Sequence, residues 1–271
     1  MTKISCVYNR TASGRLSLAF AADLWKNLNS TAQMQTVIAN SNPNPLQIFL
    51  QVDQPGAYIL SGIGSAVDAE SVIGTERSLV EADIVRKTSL PAQSIAVSAK
   101  IGSDSIIVDH NLAFQRHDLT VLYPCRETTL LGRGAGPIIV PFGDGESVLN
   151  AASLALDLAA QLELPVVFYH TTWTVQGLPS TNAHEHMCQS AQAVLATLLK
   201  MAEDSGVQCT TVVETADDVV EGLLQCALRC SARLIVMSRS YKTTVGCYVD
   251  QTLRQTPIPL VALASVKRRA S

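Results

Sequence analysis

The residues best suited to chemistry lie together in Ser238-Arg-Ser-Tyr-Lys-Thr-Thr244. Arg239 and Lys242 are cations three positions apart, with hydroxyls around them. A guanidinium, an ammonium and hydroxyls on one loop can pair with an anion such as phosphate. The plainer reading is a solvated polar loop, and the residue types favour it. Other candidates are weaker. His184-Glu-His186 looks like a metal pair, but residues two apart on a helix point about 200° apart and cannot chelate together. Cys226 and Cys230 are four apart, and a zinc site there would need two more ligands. His110 and His117 have no nucleophile beside them, and His170 closes a strand. No GxSxG, HExxH or P-loop occurs. With no nucleophile–base arrangement to name, a hydrolase or transferase is the weakest functional class.

Composition bounds the elements that could hold such a loop. Of 271 residues, 47% are apolar, 16% charged and 5% aromatic. That suits an aliphatic core and is too apolar for a disordered chain. Lys+Arg total 20 against Asp+Glu 23, for a net charge of −3. No broad basic face follows, so nucleic acid is not an expected partner. No apolar run with a cleavage site follows Met1, and none approaches ~18 residues. A cytoplasmic protein with no direct membrane insertion is expected. The seven cysteines are odd in number, lack a CxxC pair, and read as buried reduced thiols. The basic end Lys267-Arg-Arg269 reads as solvated, and Trp25 as packing.

The chain repeats itself. At a shift of 134, Ile4–Tyr8 falls on Ile138–Phe142, and Ala21, Asp23, Leu24 and Leu28 fall on identical residues at 155, 157, 158 and 162. At a shift of 115, Gln93 and Val97 match Gln208 and Val212, and Leu119 and Val121 align with Leu234 and Val236. Apolar runs and helical stripes predict second-half strands at 137–142, 165–169, 207–214, 234–237 and 259–263. Helices are predicted at 147–162, 183–202, 217–230 and 248–255, with Gly206 stopping the second. In the first half, strands are predicted at 3–8, 34–39, 94–99 and 119–122, and helices at 14–28, about 65–87 and 103–115. Alternating strands and helices imply parallel sheets covered on both faces. The expected class is α/β: two tandem doubly wound parallel-sheet domains, 1–132 and 133–271, the first degenerate. Only 12 residues, 125 to 136, separate Pro124 from Pro137, so the first half is expected to lack its last strand. The edge at Leu260–Leu263 would then be open to a second chain, giving a two-fold homodimer.

Three segments carry a resemblance: Ile139-Val-Pro-Phe-Gly-Asp-Gly-Glu-Ser147, Ser231-Ala-Arg-Leu-Ile-Val-Met237 and Leu253-Arg-Gln-Thr-Pro-Ile-Pro-Leu-Val261. They resemble the universal stress protein family, well over residues 137–263 and by order of elements over 1–124. The resemblance implies a tandem chain with an adenine nucleotide alpha hydrolase-like fold. Family members often dimerise through the last strand, and some bind ATP or AMP. The binders carry a glycine after the fourth strand, another three residues on, and a later Gly-Ser/Thr. Here those positions are Ser238, Tyr241 and Gly246-Cys247, with a shortened gap, so only Gly246 survives. The strand-one aspartate is displaced by one, to Asp144. Carried onto this chain, the ligand-side residues are Asp144, Thr171, Met237, Ser238, Arg239, Lys242, Gly246 and Cys247. In the first half Arg126 and Glu127 replace any glycine loop, and no nucleotide is expected there.

The expectation is a non-catalytic stress-response or regulatory protein acting through an unknown protein partner or a small ligand. No cofactor or metal is expected, with ATP or AMP the ligands left open. One alternative is an adenine-nucleotide-binding switch or slow ATPase using the second domain. Another is a cytosolic sensor module acting on a membrane transporter.

Overall fold

Runs of Ile, Val and Leu too short for a buried helix become strands when a neighbouring backbone can pair with them. The computed structural model describes residues 3–8, 12–28, 34–38, 85–86, 95–98, 105–108, 120–124, 136–143, 145, 147–172, 188–239 and 248–263. By its internal contacts the chain forms two units, Met1–Lys26 with Ser30–Asn111, and Asn27–Asn29 with Leu112–Ser271.

The first unit contains β1 (Lys3–Tyr8), α1 (Ala12–Asn27), β2 (Met34–Ile38), β3 (Ile95–Ser98) and β4 (Ser105–Val108). Its strands run parallel in the order β3-β2-β1-β4. α1 buries Ser17, Ala21 and Leu24, a helical stripe.

The second unit contains β5 (Val121–Tyr123), β6 (Ile138–Pro141), α2 (Ser147–Leu162), β7 (Val166–Thr172), α3 (Gln189–Asp204), β8 (Cys209–Thr215), α4 (Val219–Arg229), β9 (Leu234–Ser238), α5 (Tyr248–Gln255) and β10 (Leu260–Leu263). Its order is β5-β10-β9-β6-β7-β8. The run β8-β7-β6-β9 repeats the parallel order of the first unit, one strand for one. β5 alone is antiparallel, with Leu260 opposite Tyr123 and Ala262 opposite Val121. The core lies where alanines let a helix approach the sheet: α2 buries Ala151, Ala152, Ala155 and Ala159 together with Leu158 and Leu162.

Three expectations for the first half are corrected. Residues 105–108 form strand β4, within the stretch predicted as a helix over 103–115. Ser-Ile-Ile-Val is too short to show a helical period, and its β-branched residues suit a pleated neighbour. Val121–Tyr123 is therefore the fifth strand, where 119–122 was expected to be the fourth, and its alignment with β9 at a shift of 115 fails. The first half does possess its last strand. The edge at Leu260–Leu263 is accordingly filled by β5, which removes the open edge on which the expected homodimer was argued. The predicted helix at 65–87 lies outside the described residues except for 85–86, which are helical.

Helix ends in the second unit follow their sequence signals. The Asp218 carboxylate accepts from the amides of Val220 at 2.7 Å and Glu221 at 2.9 Å, capping α4. α3 ends in a left-handed cap at Gly206 (φ 66°), where the amide of Val207 returns to Ala202 and that of Gly206 to Glu203. α4 ends the same way at Ser231, a non-glycine with φ 51°. Gly136 (φ 86°) packs against that turn, and a Cβ there would lie 2.1 Å from the Ser231 carbonyl oxygen.

These positions give a graded test by urea unfolding followed by far-UV circular dichroism. Gly206 has open space around it, so Gly206→Ala should cost only the left-handed penalty, about 1–2 kcal/mol. Gly136→Ala adds a backbone clash and should cost roughly 2 kcal/mol more. Ser231→Gly should stabilise by about 1 kcal/mol. Equal costs at Gly136 and Gly206 would contradict the close packing described.

Candidate functional site

The carboxyl ends of β6, β7 and β9 and the start of α2 lie at the end of the sheet where doubly wound folds bind ligands. Of the residues singled out from sequence, Thr171, Met237, Ser238 and Arg239 lie at this end of the second unit. Asp144, Lys242, Gly246 and Cys247 lie outside the described residues, as do His110, His117, His184, His186 and Lys267–Arg269. The Trp25 side chain also lies outside them.

Met237 is buried in β9, in register with Ala262 of β10. Ser238 ends β9, and its hydroxyl donates to Ser147 Oγ, the first residue of α2, at 3.1 Å. That bond ties the end of β9 to the helix that follows β6.

Arg239 departs most from its sequence reading. It is 3% exposed, so it belongs to no solvated loop. Its Nη2 donates to the hydroxyl of Tyr123 on β5 at 2.9 Å. Its Nη1 lies 3.7 Å from Asp250 Oδ1 on α5. A guanidinium out of water needs such partners, because its desolvation costs several kcal/mol. Its charge is directed to β5 and α5. Neither Tyr123 nor Asp250 carries a sequence signal for this role. Tyr123 reads as one aromatic in an apolar strand, and only the antiparallel register brings it to Arg239.

At the ends of β6 and β7, the Phe142 amide donates to the Tyr169 carbonyl at 2.8 Å. The Phe142 carbonyl lies 2.8 Å from His170 Nδ1. A carbonyl only accepts, so Nδ1 carries the proton and Nε2 of the neutral ring is left as an acceptor. The Phe142 and His170 rings stack at 4.9 Å between centroids. His170 is thus held by packing and by one backbone bond.

Thr171 points with Tyr169 toward the α4 side of the sheet. Its Oγ1 is buried and without a hydrogen-bond partner of good geometry. Burial pushes the Tyr169 phenol above its ordinary range, and the Thr171 hydroxyl works against that. Gly222 of α4 makes room for this phenol, since a Cβ there would lie 2.5 Å from the Tyr169 hydroxyl oxygen. Nearby Cys226 is pushed up to about 12, first by burial and then by the charge and hydrogen bond of Cys230. It is a protonated, unreactive thiol at neutral pH. The expectation of buried thiols holds for Cys6 and Cys226, while Cys209 and Cys230 are half-buried and Cys188 is exposed. Among the described residues no group of three His, Cys, Asp or Glu could hold a metal ion. No helix among them is long and apolar enough to cross a membrane.

No protein-family profile matches the chain, and no curated protein does. Solved structures do match. A universal stress protein from Archaeoglobus fulgidus aligns over 96% of this chain and 95% of its own, at 11% identity and a TM-score of 0.58. A functionally unknown protein from Pseudomonas aeruginosa aligns over 97% of this chain and 92% of its own, at 11% identity and a TM-score of 0.51. A protein of the universal stress protein family from Burkholderia pseudomallei aligns over 48% of this chain and 96% of its own, at 21% identity and a TM-score of 0.39. At such identities the likeness is one of fold. The chain shares the fold of the Archaeoglobus fulgidus universal stress protein.

Two measurements check the site's interior. Tyr123→Phe leaves one charged donor without its acceptor and should lower stability by about 1.5–3 kcal/mol. In a double-mutant cycle with Arg239→Met, most of that loss should vanish, and additive losses would show the two side chains to be uncoupled. For Cys226, the folded thiol stays protonated while an unfolded one ionises near 9. This group leaves stability unchanged below about pH 9 and lowers it as pH rises from there toward 12. In the native protein at pH 8, Cys226 should react with maleimide after Cys188, Cys209 and Cys230, as read by peptide mass mapping.

Proposed function

We propose that this chain is a non-catalytic regulatory protein of the universal stress protein type, acting through a partner or a small ligand. One observation carries the reading. At the end of β9, where nucleotide-binding members present glycine amides, this chain has Ser238 bonded to Ser147 and Arg239 buried against Tyr123 and Asp250. A glycine loop binds phosphates because a bare backbone lets amides approach them. A serine bonded to the start of α2 and an arginine buried against Tyr123 bring side chains where that reading requires bare backbone. The absence of any nucleophile–base pair in the sequence supports a role without turnover.

The test is a thermal shift of the full chain with millimolar ATP, AMP and cyclic AMP. A nucleotide at about 100 times its dissociation constant stabilises by about 2.7 kcal/mol. No shift is expected with any of the three. A shift of that size would replace this reading with the adenine-nucleotide switch, and phosphate release from ATP would then separate a switch from a slow ATPase.

A further inference from the structure

β8 ends the sheet of the second unit, and among the described residues β7 is the one strand paired with it. Three bonds show which backbone groups of this stretch face β7. The Gln208 carbonyl accepts from the Val166 amide at 2.9 Å, the Glu214 carbonyl accepts from Thr172 Oγ1 at 3.3 Å, and the Ala216 amide donates to the Thr172 carbonyl at 3.4 Å. Backbone groups alternate sides along a strand, so even-numbered residues face β7. The amides and carbonyls of Cys209, Thr211 and Val213 therefore face outward, and no partner on that side is found for them among the described residues.

Natural sheets blunt such an edge with lysine, proline or a bulge. The sequence of β8, Cys-Thr-Thr-Val-Val-Glu-Thr, has none of these and is mostly β-branched. Its one charge, Glu214, is paired with Arg229 of α4. Thr210 is exposed and the rest of the strand is half-buried. Within the same unit β10 is paired on both sides, by β9 and by β5.

We propose that β8 is a self-association edge, pairing antiparallel with β8 of a second copy of this chain about a two-fold axis at Thr211. The free groups select this occupant. With Thr211 opposite Thr211, Cys209 falls opposite Val213 in both directions, and every outward amide and carbonyl of these residues finds a partner. That makes roughly six inter-chain hydrogen bonds, in an interface of the same patch on both copies. The axis carries a Thr–Thr pair, and Glu214 falls opposite Gln208, so no like charges meet. This surface goes beyond the functional reading above and stands whether or not a nucleotide binds.

Sedimentation velocity of the full chain, from micromolar to sub-millimolar concentration, should show a reversible monomer–dimer equilibrium. Thr211→Lys and Thr211→Glu each place like charges together on the axis, and each should weaken dimerisation by at least about tenfold. A mixture of the two variants should restore it, because only a two-fold axis at this residue brings Lys against Glu. Thr211→Pro removes an outward amide, is tolerated on an edge, and should give a folded monomer by circular dichroism. If that variant unfolds, the charge pair decides. A chain monomeric at every concentration, a dimer indifferent to these variants, or a mixture that stays monomeric would overturn the proposal. So would a monomer whose edge binds a synthetic extended peptide in place of a second copy.

Discussion

A final parallel strand leaves one row of backbone donors and acceptors with nothing to pair against, and how that row is filled organises the rest of the second unit. Here β5 fills it from the opposite direction, three buried residues against three of β10. The reversal puts Tyr123 opposite Leu260, with its hydroxyl within reach of the residue that follows β9. That residue is Arg239, and its burial follows from having an acceptor waiting on each side. Without β5, the guanidinium would lose the Tyr123 hydroxyl, an acceptor that helps make its removal from water tolerable. The strand pairing and the buried cation thus support each other.

The same arrangement shapes the strand ends. With Arg239 drawn toward β5 and α5, the end of β9 holds Ser238 against the first turn of α2. On the other side of β6, Phe142 holds His170 by its carbonyl and by its ring. These contacts join neighbouring elements of the second unit. β10 is thus paired on both sides, while β8 ends the order and its outward row of backbone groups carries no blunting residue.

Much of this was legible before any coordinates. The second unit reads well because glycines, prolines and capping residues punctuate it. Asp218 begins α4 and Gly206 ends α3 by local chemistry that no tertiary contact has to decide. The alanine stripe of α2 announces the face that meets the sheet. The first half reads less well. Its fourth strand is four residues long, and a run of that length has no period from which to tell strand from helix. With β4 read as helix, residues 119–122 take the place of a fourth strand and the edge beside β10 looks open. At the strand ends, the sequence has Ser238 and Tyr241 where the resemblance would place glycines. The destination of Arg239 was not legible there, because a polar residue after a strand looks the same whether water or a buried tyrosine receives it.

By itself, then, the sequence determined the α/β class, the order of strands and helices from β6 to β10, and the end of α3 at Gly206. All of these depend on residues close together in the chain, through periodicity, backbone conformation and local hydrogen bonds. Only the tertiary structure decided which strand closes the sheet beside β10, where the Arg239 charge is neutralised, and which edge is left with outward backbone groups. Those outcomes depend on strand order and direction, which bring together residues more than a hundred positions apart, such as Tyr123 and Arg239, and no local pattern encodes that meeting.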